Sequence, residues 1–238
     1  MNATSEPVAI AGPVAQPKKP RTVAPPGAWD SHAHVFGPAD KFPYAPGRGY
    51  TPPDAPAEKF VALLDHNGCA HGLVVQGNAH GYDNRVVLDA LTRYPQRLRG
   101  VAITDTRIEP EALRGWHKIG IRGLRFHLMA QKPGYVRGVG LDVFEVFRKT
   151  MAELGWVMQV FCDGQVIGDM APKLREIARD NKRRAASTSR ISRRCCGWSA
   201  RAMRTSRSRR LIACRNFILA TPTPACCIRR WSPPIRNG

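Results

Sequence analysis

The stretch 98–127, LRGVAITDTRIEPEALRGWHKIGIRGLRFH, decides the fold. Each end is a short apolar run typical of a buried strand. Between them, EPEALRGWHKIG predicts a helix with Pro110 in its first turn and Gly120 directly behind it. A strand, a connecting helix and a second strand make a right-handed crossover, which places the two strands parallel in one sheet.

The same alternation continues on both sides of this unit. Further strands are predicted at 27–36, 71–77 and 156–164, and further helices at 54–68, 83–95, 141–155 and 167–181. Asp54 and Gly68 bound the first of these helices, and Asp83 or Asn84 opens the second, which ends before Pro95. The sequence therefore predicts five strand-helix units in a parallel sheet.

Two parallel architectures begin in this way, a doubly wound sheet and a closed barrel. No GxGxxG sequence follows the first strand, which argues against a dinucleotide-binding doubly wound sheet. We therefore predict an α/β fold of the (β/α)8 TIM-barrel family. Only about five units are encoded, three fewer than a closed barrel of about 250 residues needs.

The charge of the chain is unevenly distributed. The formal net charge of +19 would suggest a nucleic-acid binder, but 15 of the 37 Lys and Arg residues lie after residue 181, where no Asp or Glu occurs. Residues 1–181 hold the other 22 bases and all 18 acids, a net charge of +4 that is ordinary for an enzyme. Three regions follow: a Pro-rich leader at 1–26, an incomplete barrel at 27–181, and an irregular Arg/Ser/Cys-rich tail at 182–238.

The tail allows two interpretations. It is either a basic tail for RNA or anionic surfaces, or the product of GC-rich codons read out of phase. In one shifted phase, synonymous codons restore acidic residues and helix and strand patterns over some forty residues, so we favour a frameshift. Its five cysteines form no CxxC pair and predict neither a zinc site nor a disulfide framework.

No apolar run reaches membrane-spanning length and the start lacks a secretory signal, so we expect a cytoplasmic protein without membrane contact.

The sequence DSHAH at 30–34 carries the first candidate chemistry. Alternation along a strand places Asp30, His32 and His34 on one face. Two imidazoles at that spacing, at the mouth of a parallel barrel, can share a divalent metal or polarise a carbonyl, although a purely structural role stays open.

The sequences GAWDSHAHVFGP, FPYAPGRGYTPPDA, VVQGNAHGYDN and GIRGLRFHL resemble the amidohydrolase superfamily. The closest likeness is to its branch of 2-pyrone-4,6-dicarboxylate lactonases and 4-sulfomuconolactone hydrolases, and it covers about residues 17–181. The resemblance implies a hydrolase of carboxylated or sulfonated lactones in aromatic-compound degradation, with a small lactone dicarboxylate as substrate and with Zn²⁺ or no cofactor.

The resemblance also implies site residues. His32 and His34 would be the catalytic pair and the possible metal ligands; the substrate would contact Tyr50, Asn78, His80, Arg125 and His127. Three structural alternatives remain open. In these alternatives to substrate contact, Tyr50 caps the barrel, the His80 ring hydrogen-bonds a loop carbonyl, and the charge of Arg125 is balanced by Asp30 or Asp163.

The chain also departs from the family. Gln131 and Lys132 stand where relatives carry a basic residue, and Phe161 stands where the pyrone lactonase has a tyrosine. No His follows His127 and no Asp follows Asp180, so the family's Asp-His of the sixth strand and the general-base Asp of the eighth have no counterpart. We therefore expect impaired activity. Because five units leave open sheet edges and an uncovered apolar interior, we also expect poor solubility or dependence on a partner.

Two other functions stay open at this point. The basic tail could bind nucleic acid or anionic surfaces, although its few aromatic residues make nucleic acid an unexpected partner. A lactone isomerase of the same family would keep the barrel without needing an attacking water.

Overall fold

The computed structural model describes residues 7–128, 141–162, 168, 170–173, 175–176 and 217–219. Its strands are β1 (Val8–Ala9), β2 (Trp29–Ala33), β3 (Tyr50–Thr51), β4 (His71–Val75), β5 (Leu98–Ala102), β6 (Ile121–His127), β7 (Val157–Phe161) and β8 (Phe217–Leu219). Its helices are α1 (Ala57–Asn67), α2 (Arg85–Arg93), α3 (Pro110–Ile119) and α4 (Leu141–Leu154), with a short 3₁₀ helix at Asn78–His80. The backbone is also helical at 168, 170–173 and 175–176, within the last helix predicted.

The main sheet is a curled half-barrel. Its strand order is β2-β4-β5-β6-β7-β8, and the first five strands are parallel. The helices α1, α2, α3 and α4 connect successive parallel strands, as a right-handed βαβ arrangement requires. The predicted fold, five units of a (β/α)8-type barrel, is confirmed.

The predicted helix boundaries hold with one difference. α3 has Pro110 in its first turn and ends at Gly120, and α1 ends at Gly68, whose φ of 72° suits glycine. However, α1 begins at Ala57 behind Pro56, three residues after Asp54 and without a side-chain cap. The Pro56 ring disfavours helical backbone at the residue before it, so the helix begins only after the proline.

The core lies between the sheet and the helices on its outer face. Its largest fully buried side chains include Leu64 of α1, Leu91 of α2, Leu113 of α3 and Phe147 of α4. These residues pack with Val74, Leu98, Ile121, Leu124 and Met158 of the strands in one apolar cluster. Each helix therefore buries one face against the sheet, which sets the curvature that brings the strand ends together.

The ends of the described chain lie against the barrel. In the leader, β1 pairs in parallel with β3, and the His66 ring is hydrogen-bonded to the Lys18 carbonyl at 3.2 Å. Within the predicted irregular tail, β8 pairs antiparallel with β7, whereas the next strand of a (β/α)8 barrel would be parallel. The rest of the tail, at 182–216 and 220–238, lies outside the described residues. Among the described helices, none is long and apolar enough to cross a membrane.

Candidate functional site

Two imidazoles from the first barrel strand form the centre of the candidate site. His32 lies on β2 and His34 directly after it, and their ring centroids are 5.0 Å apart in an edge-to-face arrangement. The nearby Asp30 is turned to its own strand, because its carboxylate accepts a hydrogen bond from the His32 backbone N–H at 3.1 Å. The two rings therefore face the same region, the geometry expected for positions i and i+2.

Arg125 of β6 joins the imidazoles. Its Nη1 lies 3.4 Å from His34 Nε2 and donates to the Gln76 carbonyl at 3.3 Å. The guanidinium carbon lies 5.1 Å from the centre of the Phe161 ring, within the range of a cation–π contact. With 5% of its surface exposed, Arg125 is a buried cation beside two imidazoles.

Two glutamines that the sequence patterns did not single out lie in the same site. Gln159 of β7 places its Nε2 3.0 Å from His32 Nδ1. Gln76, which follows β4, donates from its side-chain amide to the carbonyls of Gly81 and Asp83. Both side chains are fully buried, so the site contains two covered amides beside its imidazoles.

Burial and positive charge keep the imidazoles neutral. Burial, with smaller effects of His34 and Arg125, lowers the pKa of His32 to about 3. Burial and then Arg125 lower the pKa of His34 to about 4, against the opposing effect of the Val75 carbonyl. Burial, Arg125 and His34 lower the pKa of His127 to about 3. Near neutral pH the site therefore holds one cation among neutral rings.

His127 lies on β6 two residues after Arg125, and its ring centroid is 5.5 Å from that of Phe161. Phe161, where the sequence departs from the pyrone lactonase pattern, thus contacts both Arg125 and His127. The other two departures, Gln131 and Lys132, lie outside the described residues.

Two of the remaining predicted residues, Tyr50 and His80, contact Phe36, which also contacts the imidazole pair. The Phe36 ring centroid lies 5.9 Å from that of His34 and 5.9 Å from that of His80. Tyr50 meets Phe36 edge-to-face at 6.4 Å, and Asn78 is buried in the 3₁₀ helix with His80. Phe36 therefore connects His34 with Tyr50 and His80.

The His80 ring has the structural partner that the sequence analysis left open. Its Nδ1 is hydrogen-bonded to the Pro43 carbonyl at 3.2 Å, and burial lowers its pKa. Because a carbonyl only accepts, Nδ1 carries the proton and Nε2 is a lone pair. His80 in this form offers a hydrogen-bond acceptor at Nε2, and its contact with the substrate stays a prediction.

The donors present in the described residues do not fit a zinc ion. No group of three His, Cys, Asp or Glu comes together in this part of the chain, whereas a zinc site needs at least three such ligands. Moreover, His34 Nε2 faces the Arg125 guanidinium at 3.4 Å, where a second cation would be repelled. The arrangement suits a carbonyl and an anion.

Comparison with known proteins places these residues in context. The family model described as Amidohydrolase matches residues 29–212. The chain is 39% identical over 147 residues to a 2-pyrone-4,6-dicarboxylate hydrolase of Comamonas testosteroni, covering 62% of this chain and 47% of the relative. It is 39% identical over 150 residues to a 4-sulfomuconolactone hydrolase of Rhizobium radiobacter, covering 63% of this chain and 49% of the relative.

A solved structure shares the fold. It is a probable 2-pyrone-4,6-dicarboxylic acid hydrolase from Acinetobacter baumannii with citric acid bound, superposed with a TM-score of 0.54 at 26% identity over 63% of this chain and 55% of that one. The chain thus spans about half the length of the curated relatives it matches.

Proposed function

We propose that this chain, which belongs to the amidohydrolase family, is of the lactone hydrolase type. Its substrate, a carboxylated or sulfonated lactone, binds between β2, β6 and β7. The relatives named for hydrolysis of a pyrone dicarboxylate and of a sulfomuconolactone support this substrate class. A cytoplasmic location is part of the same proposal.

One observation carries the proposal: Arg125 lies beside the imidazole pair, with its Nη1 3.4 Å from His34 Nε2. A guanidinium is a fork of donors whose geometry matches a carboxylate or a sulfonate. The neighbouring rings are neutral near pH 7 because their pKa values fall to about 3 and about 4, so a ring N–H at this site donates to a lactone carbonyl without adding a second positive charge. The site thus combines a group for the acid with groups for the ester.

In the proposed reaction, water adds to the lactone carbonyl and the ring C–O bond to that carbon breaks, while Arg125 holds the acid group. One proton of the water passes to the released ring oxygen, and the other stays with the new carboxyl group until it ionises. An imidazole N–H directed at the carbonyl oxygen stabilises the negative charge that develops there. The described residues thereby bind and orient the lactone. A general base for the water is a separate requirement, and no Asp or Glu follows Asp180 in the sequence. We therefore expect the chain to bind the lactone but to open it slowly.

The test measures binding and hydrolysis separately. Isothermal titration calorimetry of the full chain with 2-pyrone-4,6-dicarboxylate, and then with 4-sulfomuconolactone, is expected to give saturable binding to at least one. Arg125→Lys should weaken that binding about 10- to 100-fold, because a charge-assisted hydrogen bond contributes about 1.5–3 kcal/mol and an ammonium cannot replace the fork.

Arg122→Lys is the matched control on the same strand. The Arg122 guanidinium donates to the carbonyls of His117 and Ile121 at 2.7 and 2.8 Å, away from the imidazoles, so its substitution should leave binding unchanged. Absence of saturable binding to either lactone, or an equal loss in both variants, would contradict the proposal. Chromatography of any product separates a ring-opened acid from an isomerised lactone, which would indicate the isomerase instead.

A further inference from the structure

Gln159 lies in an unusual place for a polar side chain. It stands in the middle of β7 between the buried residues Met158 and Val160, and none of its surface is exposed. Burying an amide is unfavourable unless it is hydrogen-bonded, and its partner here is the His32 ring, 3.0 Å from Gln159 Nε2 to His32 Nδ1. In the sheet register Gln159 is also the direct neighbour of Arg125. Its position therefore links β7 to the candidate site.

We infer that Gln159 is a positioning residue that holds His32 as the tautomer protonated on Nε2. An amide nitrogen has only hydrogens to offer, so the His32 Nδ1 that faces it must be the lone pair. A neutral imidazole carries one proton, which then sits on Nε2 and makes that atom a donor.

His34 is fixed in the opposite form. Its Nδ1 lies 2.7 Å from the Val75 carbonyl oxygen, which can only accept, so Nδ1 carries the proton and Nε2 is the lone pair. The two rings, 5.0 Å apart, thus offer a donor from His32 and an acceptor from His34. The His34 acceptor already faces Arg125 Nη1, which leaves the His32 N–H as the ring donor for a ligand.

This difference assigns parts of the substrate to residues, and the assignment rests on the proposed function. The group that fits His32 Nε2–H is a carbonyl oxygen that becomes negative during attack, and the group that fits Arg125 is the acid. The ligand class is therefore a lactone whose carbonyl is held from β2 while its acid group is held from β6. Gln159 contributes without touching the substrate.

Nitrogen NMR reports the tautomer directly. The full chain is labelled with ¹⁵N-histidine and measured near pH 7, and the His32 signals are assigned by their loss in His32→Gln. We expect an Nε2-protonated His32 in the unsubstituted chain. Gln159→Glu should switch the ring to the Nδ1-protonated form, because a carboxylate accepts from Nδ1–H, and Gln159→Met should give a mixture of the two tautomers.

Gln96→Met is the matched control, since Gln96 is an exposed glutamine in the turn between α2 and β5. It should leave the His32 tautomer unchanged. An Nδ1-protonated His32 in the unsubstituted chain, or the same tautomer in Gln159→Glu, would overturn the inference. If Gln159→Glu does not fold by circular dichroism, the unsubstituted chain and Gln159→Met still decide the question.

The tautomer is measured without lactone, so this result is independent of the proposed function. Each lactone is then added to the same sample. An Nε2-protonated His32 whose signals do not respond to either lactone contradicts the proposed substrate and leaves the role of Gln159 intact. An Nδ1-protonated His32 with tight lactone binding contradicts the role of Gln159 and leaves the proposed substrate intact.

Discussion

At the scale of single residues, His34 combines a structural and an electrostatic role. It is tied to Val75 at 2.7 Å and lies beside Arg125, and its pKa falls from 6.5 to about 4. Since the unfolded chain binds the proton between those two pKa values and the folded chain does not, acidification from about pH 7 to about pH 4 favours unfolding. The pKa difference corresponds to about 3 kcal/mol of unfolding free energy.

His34→Asn removes this titrating group and keeps an amide donor for the Val75 carbonyl. We expect the variant to lose about 3 kcal/mol less unfolding free energy than the unsubstituted chain over the same pH range, as measured by urea unfolding at several pH values. His32 and His127 still titrate, so part of the acid sensitivity should remain. Equal pH slopes in both proteins would show that the burial of His34 has no effect on acid stability.

At the scale of secondary-structure elements, a Gly→Ala substitution should change the free energy of unfolding in opposite directions at two positions. A Cβ on Gly123 of β6 would lie 2.5 Å from both the Val157 carbonyl oxygen and its Cγ2 on β7, so the two strands would have to separate. Gly115 of α3 has nothing within 4 Å of the Cβ position. Gly123→Ala should therefore cost about 1–3 kcal/mol of unfolding free energy, as overpacking does.

Gly115→Ala should instead stabilise the chain by about 0.5–1 kcal/mol, because alanine favours a helix interior. Urea unfolding of the two variants beside the unsubstituted chain measures both effects. A neutral Gly123→Ala would mean that β6 and β7 pair less closely than the register of Gly123 with Val157 requires.

The elements also show what the sequence can predict. Pro110 marks the beginning of one helix, and Gly120 and Gly68 mark the ends of two, because proline and glycine act through local backbone geometry. These boundaries were predicted correctly. Asn84 shows what local patterns cannot predict. α2 begins directly after Asn84, as predicted, but the Asn84 side chain makes no capping hydrogen bond and instead pairs with both backbone groups of Ile103 at 2.7 and 3.0 Å. That partner is 19 residues away and leaves no local signal.

The site was predictable to a similar extent. His32 and His34 were found from their spacing and Arg125 from the family resemblance, and the structure brings the three side chains together. Gln76 and Gln159 were missed because each follows or interrupts an apolar run in which a single amide looks incidental. Only the three-dimensional pairing of Gln159 with a ring 127 residues earlier gives it a role.

At the scale of the whole molecule, the half-barrel leaves its strands unequally protected. In the part of the chain that the structure describes, β4, β5 and β6 each lie between two parallel neighbours, whereas β2 pairs only with β4 and has a register shift between Asp30 and Ala33. The free edge of β2 is one of the open edges on which we base the expectation of poor solubility, because unpaired backbone groups there invite association.

Hydrogen exchange followed by mass spectrometry tests this edge. Peptides that cover β2 should exchange roughly tenfold faster than peptides that cover β5, since an edge strand opens without disturbing the rest of the sheet. The difference should shrink as protein concentration rises if a second copy pairs with the edge. Equal and concentration-independent protection of β2 and β5 would show that another segment of the same chain covers β2, and the expected poor solubility would then lose its physical reason.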